Sequence, residues 1–595
     1  MTTYTSRETY EFINKETNDP IVEWKTCRVS DQPFPIYQSD VEFYEKISPT
    51  FNGKKYQIPL PTLCPEERAR RRYARRNERR LYRRVDDFSG REIISDYSPD
   101  KPYKVYDQKM YWTDQWDAMK YGIKFDTSQP FLPQFADFFQ KIPHPSLYSI
   151  NPENAEYTNF AIDDKNCYLV CCGGGNENCF YVSTMANSDH CADGFCIYNC
   201  SYCYEAVCIE KCYNCSYIVN CNSCSHSIFL EDCQDCANCV MCFGLVNKKN
   251  YFLNQPVSEE QIKALKNQIS DLAKPTHPYQ QKFALLKQKS IRKSTHNVGN
   301  EKVTGEMIIN SKDCHQCYAI QNCEDCRNIN FIHDAQGSRD CDYAMPFGTS
   351  YSYNMCSGGG SNSSMCSYLT VKSSNMLYCA YCFHCRDCFA CVGLHDKQYC
   401  IFNVQYPDRK AYEEEVARII EVMQMSSDTL SEQVRGDFFH PILCPFGYNE
   451  TVANEYMPLE KEHDLYTFGY KWSDFSTDPK IPENAEFLSP AKMTDEEWKN
   501  LTNDDRVLSK IILCETSGRP FIIQKLELDF YRKIGVELPK LHPDHRHERR
   551  IPLRPVRASF LRTCDKCGKE MVSIYPAEEV KTVYCEECYR QEVYG

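Results

Sequence analysis

The chain has 595 residues, a formal net charge of −13 and 38 cysteines. Its length exceeds what one hydrophobic core supports and implies two to four domains. No apolar run reaches the roughly eighteen residues of a membrane span, and the opening MTTYTSRETYEF lacks the basic and apolar regions of a secretory signal. A cytoplasmic chain with reduced cysteines and no membrane partner is therefore expected.

Residues 1–125 form the first expected unit. Cys27 opens CRVSDQPFPIYQSDVEFYEKI, which matches CETSGRPFIIQKLELDFYRKI from Cys514 through Pro33/Pro520, Phe34/Phe521, Phe43/Phe530 and Tyr44/Tyr531. The register resumes at Leu63/Leu541 and holds through Arg84/Arg562, Gly90/Gly568 and Tyr97/Tyr575. The two ends are copies of one module. Between Arg68 and Arg84 the first copy packs ten arginines against one acid, Glu78, so an acidic body carries one concentrated basic patch. Arginine forks suit phosphate and tyrosines stack on bases, which points to nucleic acid, with RNA or the ribosome favoured. The candidate contacts are Arg68, Arg71, Arg72, Arg75, Arg76, Arg79, Arg80, Arg83 and Arg84, with Tyr73 and Tyr82. The alternative is that these arginines pair with the acidic body, within the chain or across a homo-oligomer.

Two cysteine-rich arrays follow, at 150–275 and 300–425, and 30 of the 38 cysteines lie between Cys167 and Cys400. Cys212-x2-Cys215-x5-Cys221-x2-Cys224 repeats its spacing in Cys314-x2-Cys317-x5-Cys323-x2-Cys326. Each array runs into a stretch of helical periodicity, VSEEQIKALKNQISDLA in one and DRKAYEEEVARIIEVM in the other. Cysteines return at nine-residue intervals, as in Cys203, Cys212 and Cys221, with turn-forming residues between. That regularity favours a β-solenoid in which each cysteine stacks on its equivalent as a small buried apolar group. Metal half-sites and thiol-redox or cluster chemistry are the competing readings of the C-x2-C pairs. Overlapping runs such as Cys379, Cys382, Cys385, Cys388 and Cys391 give no natural grouping into fours.

A linker is expected at 440–505, followed by the C-terminal module at 506–595. There Cys564-x2-Cys567 and Cys585-x2-Cys588 stand seventeen residues apart, the spacing of a structural zinc ribbon. Cys514, His542 and His545 are a possible second site. The first copy has Asp86 and Ser89 at the positions of Cys564 and Cys567 and no later cysteine pair, so residues 1–125 are expected to be a degenerate ribbon module that holds no metal there.

The strings ISPTFNGKKYQIPLPTLCP, RRNERRLYRR, GREIISDYSPDKPYKVYDQ, CYNCSYIVNCNSC, PFGYNETVANEY and CDKCGKEM together resemble a family of cysteine-rich, zinc-ribbon-ended proteins of candidate-phyla-radiation bacteria. The resemblance covers nearly the whole chain and implies a duplicated ribbon module flanking a cysteine-rich centre; it implies no activity. This sequence departs from the family pattern at Ser30, Glu67, Asp86 and Ser517.

No metalloprotease, P-loop, dinucleotide or nucleophile-elbow motif is present. Gly173–Gly175 and Gly358–Gly360 read as loops, and the adjacency of Asp189, His190 and Cys191 is not a catalytic dyad. The expectation is a non-catalytic, mainly β protein with some α, containing zinc and binding nucleic acid. An interaction scaffold, self-assembling or dimeric, is the second reading, and a metal or thiol-redox protein the third.

Overall fold

The computed structural model describes residues 3–344, 348–425, 435–462, 468–476, 481–579 and 581–593. Both arrays are parallel β-solenoids with a period of twelve residues. In the first, Ala192 lies over Tyr204, Ser216, Ile228 and Val240 in successive coils. In the second, Ser374 lies over Arg386 and Gln398, and Tyr318 over Asn330 and Asp342.

The local rule behind the coil has a period of three. Every third residue from Asn187 to Cys208 takes φ between 49° and 58°, a left-handed corner. Asn, Asp and His, which tolerate that region best, occupy many of the corners. Four corners make a square coil of twelve residues. The residue after each corner points inward, and sides of about 10 Å leave room for one small group apiece. Cys191, Cys203, Cys215, Ser227 and Cys239 form one such inward ladder, all buried.

Cysteine satisfies this space and one further demand. Each inward thiol donates to a carbonyl two residues back, as Cys221 Sγ does to Val219 O at 3.3 Å and Cys236 Sγ to Gln234 O at 3.3 Å. Many also approach the carbonyl nine residues on, as Cys224 does at Cys233 O, 3.5 Å. The ladder reading holds, but the stacking partner is twelve residues away. The nine-residue spacing is the offset between a thiol and a carbonyl, and C-x2-C marks two adjoining walls of one coil.

The solenoids lie side by side and antiparallel. Phe195 meets Phe331 and Tyr198 meets His333 near the middle. Asp232, late in the first, reaches His296 at the start of the second, at 3.1 Å. Helix Arg409–Met425 seals the second solenoid with Tyr412, Val416, Ile419, Ile420 and Met423, and helices from Glu259 to Lys289 cover the end of the first. Covered ends remove open sheet edges. Parts of the expected linker belong to the core: Tyr448, Val452 and Ala453 are buried against the arginine segment, and Trp498 donates Nε1–H to Leu538 O at 2.9 Å. No described helix is long and apolar enough to cross a membrane.

Because Ser227 occupies the cysteine ladder, Cys215→Ser is expected to shift stability by no more than about 1 kcal/mol, since a hydroxyl can replace the thiol donor. Cys215→Leu overfills the coil and should cost about 1–3 kcal/mol. Denaturant midpoints of the two variants, compared with the parent, check this.

Candidate functional site

The C-terminal ribbon begins with the hairpin Phe560–Thr563/Glu570–Ser573. Its turn is a knuckle: Cys564 N–H donates to Lys569 O at 2.8 Å, Gly568 N–H to Cys564 O at 2.9 Å, and Gly568 sits at φ 74°. Helix Glu586–Val593 starts immediately after Cys585 and carries Cys588. Strand Thr582–Tyr584 pairs with Ile291–Lys293 and fixes the ribbon to the body. The four sulfurs lie within 4.8 Å of one another, with Cys567 and Cys585 Sγ 3.9 Å apart. A tetrahedral thiolate site with metal–sulfur bonds of about 2.3 Å places its sulfurs about 3.8 Å apart, so the set fits a metal ion. Burial pushes the Cys564 thiol up, but N–H donors from Cys585, Cys567 and Lys566 outweigh it and bring it down to about 6. That favours the thiolate.

The N-terminal copy keeps the ribbon hairpin without its metal ligands, which is the degenerate form expected of it. Tyr82–Val85 and Glu92–Ser95 form the matching hairpin. Asp86 N–H donates to Arg91 O at 2.8 Å, Gly90 N–H to Asp86 O at 2.9 Å, and Gly90 has φ 73°. The Asp86 carboxylate accepts from the N–H groups of Phe88 at 3.2 Å, Ser89 at 2.9 Å and Asp107 at 3.1 Å, and from the Ser89 hydroxyl. These three donors align with Lys566, Cys567 and Cys585. A carboxylate therefore gathers the donors that face the Cys564 sulfur in the other copy. The fold is kept without the four thiols. One signal was available: Asp107 follows Asp86 by the same interval as Cys585 follows Cys564.

The possible second metal site is not assembled. Cys514 lies in a knuckle turn and His542 opens helix Pro543–Arg550, but among the described residues only the four C-terminal cysteines bring three or more such ligands together. His542 Nδ1 accepts from Asp544 N–H at 3.1 Å, and His545 Nδ1 lies 3.0 Å from Glu548. Burial holds His542 down at about 4.

The arginines face the protein. The segment is not one long helix: Pro65–Tyr73 is helical, with Pro65 at its start and acids in its first turn, and Tyr82–Val85 is already strand. Arg68 pairs with Asp340 at 3.0 Å, Arg72 with Asp342 and Arg71 with Asp437 at 3.3 Å, all buried. Arg75 donates to Leu443 O and lies between Phe139 and Phe439, while Arg76 pairs with Glu78 and stacks on Phe160 and Tyr343. Arg84 bonds Asp87, half-buried Arg79 approaches Asp544, Tyr73 donates to Asp342 and Tyr82 to Glu450. Of the residues expected to meet phosphate, only Arg80, with 44% of its side chain exposed, and Arg83, with 66%, reach solvent, and both are in ion pairs. Sequence reasoning missed the partners because they lie some 270–370 positions away.

The second copy repeats the pattern on the other solenoid. Arg546 and Arg550, equivalent to Arg68 and Arg72, both pair with Asp193, and Arg550 also reaches Glu205 at 3.3 Å. Arg554, equivalent to Arg76, pairs with Glu455 and stacks on Phe195.

Between the solenoids an open trench of about 890 Å³ remains. Corner residues Cys172, Cys196 and Cys208 line one wall, and Met307, Ala319 and Tyr343 the other. Both glycine runs expected as loops lie in solenoid coils, and Gly173–Gly175, Gly358 and Gly359 line this trench. His190 is a surface corner bonded to Asp189, whereas Cys191 points inward, so they form no dyad. At one end of the trench His296 lies between Glu306 and Asp232, at 2.5 and 3.1 Å. Burial alone would lower it, but the two carboxylates together raise it well above the usual imidazole range and hold it as a cation.

No protein-family model matches the chain, and no curated protein is similar to it. Function has to come from the geometry itself.

Arg72→Ala leaves Asp342 and Asp340 buried beside an empty space and should cost about 3–5 kcal/mol. Arg83→Ala, on the surface, should change stability by no more than about 0.5 kcal/mol. Equal effects in denaturant titration would contradict the interior placement of Arg72.

Proposed function

We propose that the protein is a non-catalytic binding scaffold: two rigid solenoids, clamped by the end modules, hold an elongated ligand in the trench between them. The trench carries this reading, since it is a large concave space with mixed apolar and polar lining where two rigid walls meet. Main-chain donors and acceptors of both walls are used from coil to coil, which supports a preformed site. His296, held as a cation by two acids, is poorly suited to act as a base. We assign the four-cysteine site to structural zinc, because four thiolates leave no open position for substrate.

Native mass spectrometry of the full chain from its own source is expected to show a bound mass that Ala319→Trp, inside the trench, loses and Ala237→Trp, on the outer face, keeps. If neither a bound mass nor any slowing of hydrogen exchange around Met307 and Leu369 on adding host extract is found, the binding reading is wrong. Metal analysis should give one zinc per chain, lost in Cys585→Ser/Cys588→Ser while the strand signature of the solenoids persists. A nucleic-acid role would rest on Arg80 and Arg83. Tight RNA binding abolished by substituting those two would replace this reading.

A further inference from the structure

We infer that the trench ligand is a long-chain amphiphile, with its hydrocarbon tail toward Phe160 and Leu369 and an uncharged, hydrogen-bonding head toward Asp232 and His296. This rests on the binding reading above and narrows it to one chemical class. Four features of the trench select that class.

Its length comes first. From Phe160 to Asp232 the same left-handed corner recurs over six coil steps. At about 4.8 Å per step that is roughly 29 Å. A bilayer's hydrocarbon core has about this thickness and is spanned by two acyl tails end to end, so one extended tail and its head fit within the trench.

Polarity changes along that length. One end is walled mainly by Tyr148, Phe160, Ile162, Leu369 and Val371, with Arg76 and Asp163 beside them, and the other mainly by Asn220, Asn222, Asp232, Gln234, Lys293 and His296, with Val246, Val298 and Ile309 among them. A ligand apolar throughout would waste the second set. A ligand polar throughout, such as a glycan, would leave the first set facing hydroxyls.

The cations of the trench are already engaged, and the carboxylate of Asp163, which has no cationic partner among the described residues, disfavours an anionic head further. Arg76 is held by Glu78, Lys211 by Glu210, Lys293 by Glu586 and His296 by two acids. A phosphate or carboxylate head would have to break one of these pairs. The side-chain amides without a partner among the described residues are Asn220, one coil from Asp232, and Gln321, Asn199 and Asn187 farther along the trench, and they suit hydroxyl or ester oxygens of an extended head.

Among the described residues the walls also offer no strand edge. Along the corner column, N–H and C=O groups pair between coils, as Asn199 N–H does with Ala186 O and Lys211 N–H with Tyr198 O. An extended peptide would find no ladder to join, which removes the main-chain bonds that strand addition depends on. The middle of the trench presents Cys196, Cys208, Met307 and Ala319, small or flexible side chains that suit a smooth unbranched chain better than a rigid ring.

The test uses the full chain and a monoacylglycerol with a tail of about eighteen carbons, kept below its micelle-forming concentration and read by calorimetry or displacement of a polyene-tailed analogue. Shortening the tail should weaken binding by about two- to fourfold per methylene removed. Ala319→Trp and, separately, Gln321→Trp should weaken it at least tenfold at an unchanged melting temperature, and Ala237→Trp should not. Two parallel arms use chitohexaose and a ten-residue Ala/Ser peptide. If either binds in the trench and the monoacylglycerol does not, or if affinity ignores tail length, the amphiphile is wrong while the binding scaffold stands. If no probe binds and the full chain from its source carries no ligand, both fall.

Discussion

Everything in the central body depends on the three-residue side. A left-handed corner every third residue costs conformational energy at each turn, of order 1 kcal/mol for residues other than glycine, and the coil-to-coil hydrogen bonds offset it. A side that short admits only small inward groups. Cysteine fills it because its sulfur is compact and its thiol can donate to the carbonyl that the corner turns inward. Coil cross-section therefore accounts for the abundance of cysteine without calling on metal or redox chemistry. Walls of this kind have their backbone groups satisfied within themselves, which leaves side chains to join one solenoid to anything else.

The arginines make that join. Arg68, Arg72 and Arg76 from one end and Arg546, Arg550 and Arg554 from the other reach into opposite solenoids, each meeting carboxylates or aromatic faces. Buried guanidinium is tolerable only where its charge is paired, because an unpaired charge in that interior costs several kcal/mol. Planar forks that bond in plane and stack through their faces meet both demands, whereas lysine would meet one. Asp544, which receives Arg80 from the first module and Arg519 from its own, ties the two ends directly. This clamp and the direct contacts of Phe195 with Phe331 and Asp232 with His296 together hold the solenoids antiparallel with the trench between them.

How much of this was legible follows from the range of each interaction. The duplications, the cysteine ladder and the ribbon are local patterns and were readable. The period of three was hidden because inward positions vary among Cys, Ser, Ala and Ile, so only the subset that happened to be cysteine showed, at intervals of nine. The arginine patch looked like a phosphate site because composition records charge and not its partner. Asp340, Asp342 and Asp437 are distant in sequence, and only the topology brings them under the helix. The linker at 440–505 was misread in part for the same reason: its buried residues, Tyr448 and Trp498 among them, pack on elements far from it in the chain. The trench had no sequence signature, since its lining residues serve local solenoid geometry first.

The two ribbons show what decides between a metal and a carboxylate. In the first, Tyr97 and Val105 belong to a large apolar cluster shared with the solenoids, so the knuckle needs only its donors gathered, and Asp86 does that. In the second, the equivalent turn rests on a small cluster of Cys564, Met571, Val583 and Cys588. A core of that size stabilises little on its own, and small domains generally add cross-links or metals to compensate. Four cysteines persist where packing is thinnest. Where the body supplies packing, a single aspartate holds the same turn, and the module's arginines serve the interior in both copies.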